Sequence, residues 1–248
     1  MTRLVAVLGI GALLTGCSIK IPYMNISQWP TGQYVAYYGE PVPHRIGVLP
    51  LEDHRPAHEQ TGQKPRGLFL LLWNRRVGDY YTGDRMFGGR VAAQLTDQLI
   101  GHMETSHAFA DVMLVSGLPA GFNPDNADSV SQVGRDLVVD YLLRGEIAHF
   151  FGSQSQHTST YLLPLYFVNT VGWQDSKSLP WGRSAIIFTV YDGQTGDIAW
   201  RRVIETDRTL PRDSDSMSQA ALEAFSATAA ELTRSLRELP PHPALASQ

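Results

Sequence analysis

Hydrophobic and polar positions along the chain switch between two periods. Arg45 to Leu51 (RIGVLPL) is apolar on both faces, Ile46 and Val48 on one and Leu49 and Leu51 on the other, which predicts a central strand. From Asp84 to Met103 the apolar residues Phe87, Val91, Leu95, Leu99 and Met103 recur at every fourth position, the stripe of a helix docked on a sheet. Phe109 to Ser116 predicts a second strand. A short helix follows, capped by Asp125 or Asn126, with Val130, Val133 and Leu137 on one face. Val138 to Phe151 predicts a third strand. Ser184 to Tyr191 and Ile198 to Glu205 flank Asp192-Gly193-Gln194-Thr195-Gly196-Asp197, a turn rich in residues that tolerate positive φ, and so predict a hairpin. A last helix, capped near Ser214 or Ser216, aligns Met217, Ala221, Ala224, Phe225, Leu232 and Leu236 before Pro240 and Pro241 stop it. This order of elements predicts an α/β fold with a mixed sheet of about five strands and helices packed on it.

Two connections are too long for a compact domain, residues 52–83 and 152–182. Both contain apolar runs, Leu68 to Trp73 and Tyr161 to Val168, whose composition is wrong for a solvated coil. If the first and third strands are parallel, both insertions leave the sheet at the same end. The expectation is one apolar patch, with Trp73, Tyr161, Tyr166, Phe167 and Trp173 as candidate anchors for the membrane, a second protomer or an envelope partner. The competing expectation is that the insertions pair with each other and extend the domain's own core.

The amino terminus follows neither period. Arg3 precedes an apolar run from Leu4 to Leu14, then Thr15 and Gly16 before the chain's single cysteine, Cys17. That is the layout of a secretory signal, and the run is about half of the ~20 residues a spanning helix needs. Leu14-Thr15-Gly16-Cys17 resembles the bacterial lipobox. The resemblance implies cleavage before Cys17, acylation of its thiol and of the new amine, and, with Ser18 rather than aspartate following, lodging in the outer membrane facing the periplasm. Residues 1–16 are then the signal, 17–43 the lipidated cysteine with an extended, proline-punctuated tether, 44–239 a single domain, and 240–248 a disordered tail.

Composition narrows the remaining chemistry. Twenty basic against 24 acidic residues, with no basic run, leave no electrostatic footprint for a nucleic acid. One cysteine excludes an internal disulfide or a cysteine-cluster metal site.

Arg45-Ile46-Gly47-Val48-Leu49-Pro50-Leu51-Glu52-Asp53 and Val139-Asp140-Tyr141-Leu142-Leu143-Arg144-Gly145-Glu146-Ile147 resemble motifs of a lipoprotein superfamily whose fold is similar to the TolB amino-terminal domain. The superfamily includes the curli secretion channel lipoprotein, the Pel polysaccharide lipoprotein and activator lipoproteins of penicillin-binding proteins. The likeness spans about residues 44–239. It implies a non-catalytic scaffold or assembly accessory of an envelope complex, without cofactor, and either an envelope protein partner or self-association.

The densest titratable cluster is Glu52-Asp53-His54-Arg55-Pro56-Ala57-His58. Pro56 falls between the two histidines and the glutamate of the helical zinc motif is missing, so no metal site is expected. Strand-end carboxylates nevertheless lie where α/β proteins bind ligands, and Asp53, His54 and His58 support the alternative of a periplasmic small-molecule-binding or hydrolytic module. Arg144 and Glu146, two apart on a strand, read as an ion pair on one face. Ser153, Ser155, His157 and Ser159 offer nucleophile and base types without a nucleophile-elbow glycine pattern.

Overall fold

The computed structural model describes residues 26–30, 35–63, 66–70, 73–162, 171–211 and 217–240. Its strands are β1 (Val42–Val48), β2 (Glu52–Asp53), β3 (Arg66–Leu70), β4 (Trp73–Tyr81), β5 (Phe109–Leu114), β6 (Tyr141–Leu162), β7 (Val171–Lys177), β8 (Trp181–Asp192) and β9 (Ile198–Thr209). Its helices are α1 (Ala57–Thr61), α2 (Val91–Thr105), α3 (Ala127–Leu137) and α4 (Met217–Arg237), with 3-10 turns at Ile26–Gln28 and Asp84–Met86. The fold is α/β with a mixed sheet. All five expected strands are present, and the two insertions supply four more, β2, β3, β4 and β7.

β6 holds the sheet together. It is 22 residues long, about 70 Å at the rise of a strand, and it has different neighbours along its two halves. Its first half lies parallel to β1, with Ile46 opposite Tyr141 and Val48 opposite Leu143, and antiparallel to β8. The body of the sheet thus runs β5-β1-β6-β8-β9, with β5 parallel to β1 and β9 antiparallel to β8. The second half of β6 leaves this body and pairs antiparallel with β4 on one side and β7 on the other, with β3 beside β4. Four antiparallel strands, β3-β4-β6-β7, therefore form an arm. The two insertions do pair with each other, through β6. The expected third strand ended at Phe151 because the apolar pattern ends there, whereas the strand itself continues to Leu162.

The body is covered on both faces. On one, Phe87, Leu95, Leu99 and Met103 from the α2 stripe and Ala221, Leu222, Phe225, Leu232 and Leu236 of α4 are buried with Leu143, Ile147, Phe150, Ile186 and Phe188 of the sheet. On the other, Val130 and Val133 of α3 pack against Leu49, Val139, Leu142 and Tyr191. Helix α2 begins at Val91 rather than Asp84, because Gly88 (φ 91) and Gly89 (φ 72) break the turn before it. At α3 the Asn126 side chain accepts from the Asp128 and Ser129 amides, which settles the cap in its favour over Asp125. Residues 212–216, with Ser214 and Ser216, lie outside the described residues, as do residues 1–25 and 241–248.

The start of the folded body differs from the sequence expectation. Ile26 and Trp29, read as tether, are buried, and Trp29 donates its indole N–H to Ser226 of α4 at 3.2 Å. Gln98 of α2 donates to the carbonyls of Ile26 (3.1 Å) and Trp29 (3.3 Å). Two apolar side chains anchored by three hydrogen bonds to two helices belong to the core. Farther along, the Tyr38 ring lies under the Arg237 guanidinium at 4.3 Å.

Candidate functional site

The connection from β1 through β2 to α1 brings the strand-end cluster onto the sheet, and its parallel pairing with β6 decides which way each side chain faces. Glu52 lies opposite Glu146 and Asp53 opposite Ile147. Arg144 reaches across to Glu52 through Nε (2.8 Å) and Nη2 (3.1 Å), with Glu146 at 3.5 Å and Asp125 at 3.6 Å. His54 completes this network, 3.5 Å from Glu52 and 3.6 Å from Glu146. Hydrogen bonding from Arg144 outweighs burial and holds the Glu52 carboxyl below the usual range; the same pairing raises Arg144. Arg144 and Glu146 do share a face, but the bidentate partner of Arg144 is Glu52.

Asp53 points elsewhere. Its carboxylate accepts from Arg55 Nε (2.8 Å) and Nη2 (2.6 Å), and the same guanidinium donates to Asp84 (2.9 Å) and to the Phe150 carbonyl (3.4 Å). The Arg55 side chain is fully buried, so its charge depends on these partners. Burial pushes the Asp53 carboxyl up, yet the bonds and charge of Arg55 overcome it and leave the group lowered. His58 stands edge-on to Tyr81, with ring centroids 5.8 Å apart. Asp53, His54 and His58 thus face three different environments. The alternative binding or hydrolytic reading needed them to converge. Among the described residues, no group of three His, Cys, Asp or Glu side chains has the geometry to hold a metal ion.

One polar pair escaped the sequence reading. Glu59 of α1 is buried, bonds His149 Nδ1 at 2.6 Å and accepts the Phe150 amide at 3.2 Å, fixing α1 to β6. Its partner lies 90 positions away and no local pattern marks it. Ser153, Ser155, His157 and Ser159 are alternate residues of β6, and Ser155 is occupied by Asp79 of β4. A separate cavity of about 330 Å³ lies along α4 beside Tyr38, Arg208 and Arg234, remote from the strand-end cluster.

Of the candidate interface residues, Trp73, Tyr161 and Trp173 fall on the arm. Trp73 of β4 is opposite both Leu70 of β3 and Tyr161 of β6, and Trp173 of β7 is opposite Thr160. Tyr166, Phe167 and the candidate lipidation residue Cys17 lie outside the described residues.

No protein-family model matches the chain, and no curated protein does. Similar solved structures include a Xanthomonas campestris protein of the DUF330 family, at 12% identity and TM-score 0.46, covering 80% of this chain and 87% of that one. PelC from Paraburkholderia phytofirmans, described as a dodecamer, has 10% identity and TM-score 0.39, covering 80% and 94%. Lipoprotein GNA1162 from Neisseria meningitidis has 10% identity and TM-score 0.33, covering 77% and 99%. Likenesses this distant carry no function across. Among the described residues, no helix is long and apolar enough to cross a membrane.

Proposed function

We propose that the chain is a lipid-anchored accessory of the cell envelope, a non-catalytic scaffold held at the periplasmic face of the outer membrane by an acylated Cys17. The observation that carries this reading is Leu14-Thr15-Gly16-Cys17 behind Arg3 and an apolar run too short to span a bilayer. Two or more acyl chains give stable anchoring, since each buried methylene contributes roughly 0.8 kcal/mol. Glu52, Asp53, His54 and Arg55 of the strand-end cluster support it from the other side: they are held in ion pairs with one another and with β6, and Glu59 pairs with His149, as in a structural network.

Crosslinking in intact envelopes tests the accessory role. A defined envelope protein, or a second copy, should be recovered with the native chain and lost with Cys17→Ala. Recovery of the same adducts without the anchor would contradict the proposal.

A further inference from the structure

The arm is graded in polarity from root to tip, and the gradient runs in register across all four strands. At the root, Tyr81 lies opposite Ser153, and the Thr82 and Gly152 backbones bond each other. Four mostly polar rows follow, Tyr80 with Gln154, Asp79 with Ser155, Gly78 with Gln156 and Lys177, and Arg66 and Val77 with His157 and Ser176, and then Arg76 with Thr158 and Asp175, and Leu68 and Arg75 with Ser159 and Gln174. The following row holds Phe69, Asn74, Thr160 and Trp173. The last rows are Leu70, Trp73, Tyr161 and Gly172, and then Leu162 with Val171. Among the described residues the apolar end is three rows deep, about 10 Å. That depth matches the 5–10 Å to which interfacial elements enter a bilayer.

The anchored end of the chain arrives at the same end of the body. The Ile26 amide bonds the Phe87 carbonyl, and the Phe87 ring packs on Phe150 at 4.8 Å, two residues before the arm's root at Gly152. Eight residues separate Cys17 from Ile26, so the acyl chains lie within about 30 Å of that point. The arm from Ser153 to Leu162 is itself about 30 Å long.

We propose that the far end of the arm, Phe69, Leu70, Trp73, Tyr161, Leu162, Val171 and Trp173, inserts into the surface of the bilayer that holds Cys17. Arg75, Arg76 and Asp175 then lie at headgroup level and the rest of the body is held off the membrane. The proposal rests on the acylated Cys17 of the preceding section. Its test is the full-length acylated protein reconstituted in phosphatidylethanolamine–phosphatidylglycerol vesicles with brominated acyl chains, read by flotation and tryptophan fluorescence. Bromolipids should quench the native protein, and Trp73→Phe with Trp173→Phe should float equally while losing most of the quenching. Leu70→Asp with Leu162→Asp should float and lose it too. A floating native protein whose fluorescence is unquenched overturns tip insertion and leaves the anchor standing; arm-to-arm crosslinks in that sample would assign the tip to a second copy. Quenching unchanged in the Phe pair also overturns it. A native protein that does not float overturns the anchor, and tip insertion with it.

Discussion

At the residue scale the fold depends on charges that are buried and fully paired. Arg55 is enclosed by Asp53, Asp84 and the Phe150 carbonyl, so removing its guanidinium leaves two carboxylates without a counter-charge. Arg55→Met should cost about 3 kcal/mol in urea unfolding, the lower end expected for breaking a buried pair, because both carboxylates keep some contact with water. A second effect comes from His102. Burial pushes its imidazole down to about 4 from an ordinary 6.5, so the unfolded chain takes up a proton that the native chain refuses. Stability from this group is fully present above pH 6.5 and declines as pH falls toward 4. Between pH 7.5 and 5 the loss should be about 2 kcal/mol, and His102→Leu should flatten it. Glu52 and Asp53, whose carboxyls are lowered, act in a separate window. Their contribution is fully present above the ordinary carboxylate range and disappears as pH drops through their lowered folded values.

At the element scale, α4 and the root of the arm meet through glycine. A Cβ at Gly152 would lie 1.9 Å from the Met217 carbonyl oxygen, and one at Gly182 would lie 2.2 Å from the backbone between Ala220 and Ala221. The start of α4 therefore rests directly on β6 and β8. Gly152→Ala should destabilise by about 2 kcal/mol or more, as overpacking against backbone does, measured by thermal or urea unfolding. The five body strands were readable because one or both of their faces pack on helices, which writes a period into Ile46, Val48, Ile186 and Phe188. The arm was not. Residues 153–160 of β6 read Ser-Gln-Ser-Gln-His-Thr-Ser-Thr, with no apolar alternation, and their partners lie in β4, roughly eighty positions earlier. Cross-strand pairing of this kind leaves no local signature. The same reason hid Glu59 with His149, and it made Asp53, His54 and His58 look like one cluster when the sheet turns them apart.

At the scale of the whole molecule, the body and the arm share β6, and Ile26 enters the body beside Phe87, which packs on Phe150 near the arm's root. Among the described residues the body's contacts begin at Ile26, so a variant without the acyl chains should keep its fold. Cys17→Ala should leave the unfolding midpoint of the body unchanged while moving the protein from the membrane pellet to the soluble fraction. The proposed acylation of Cys17 is tested most directly by mass spectrometry of the amino-terminal peptide from protein extracted from native membranes. The account predicts a peptide that begins at Cys17 and carries a thioether-linked diacylglycerol and an amide-linked acyl chain. A peptide that retains residues 1–16, or a Cys17 with a free thiol, would contradict it.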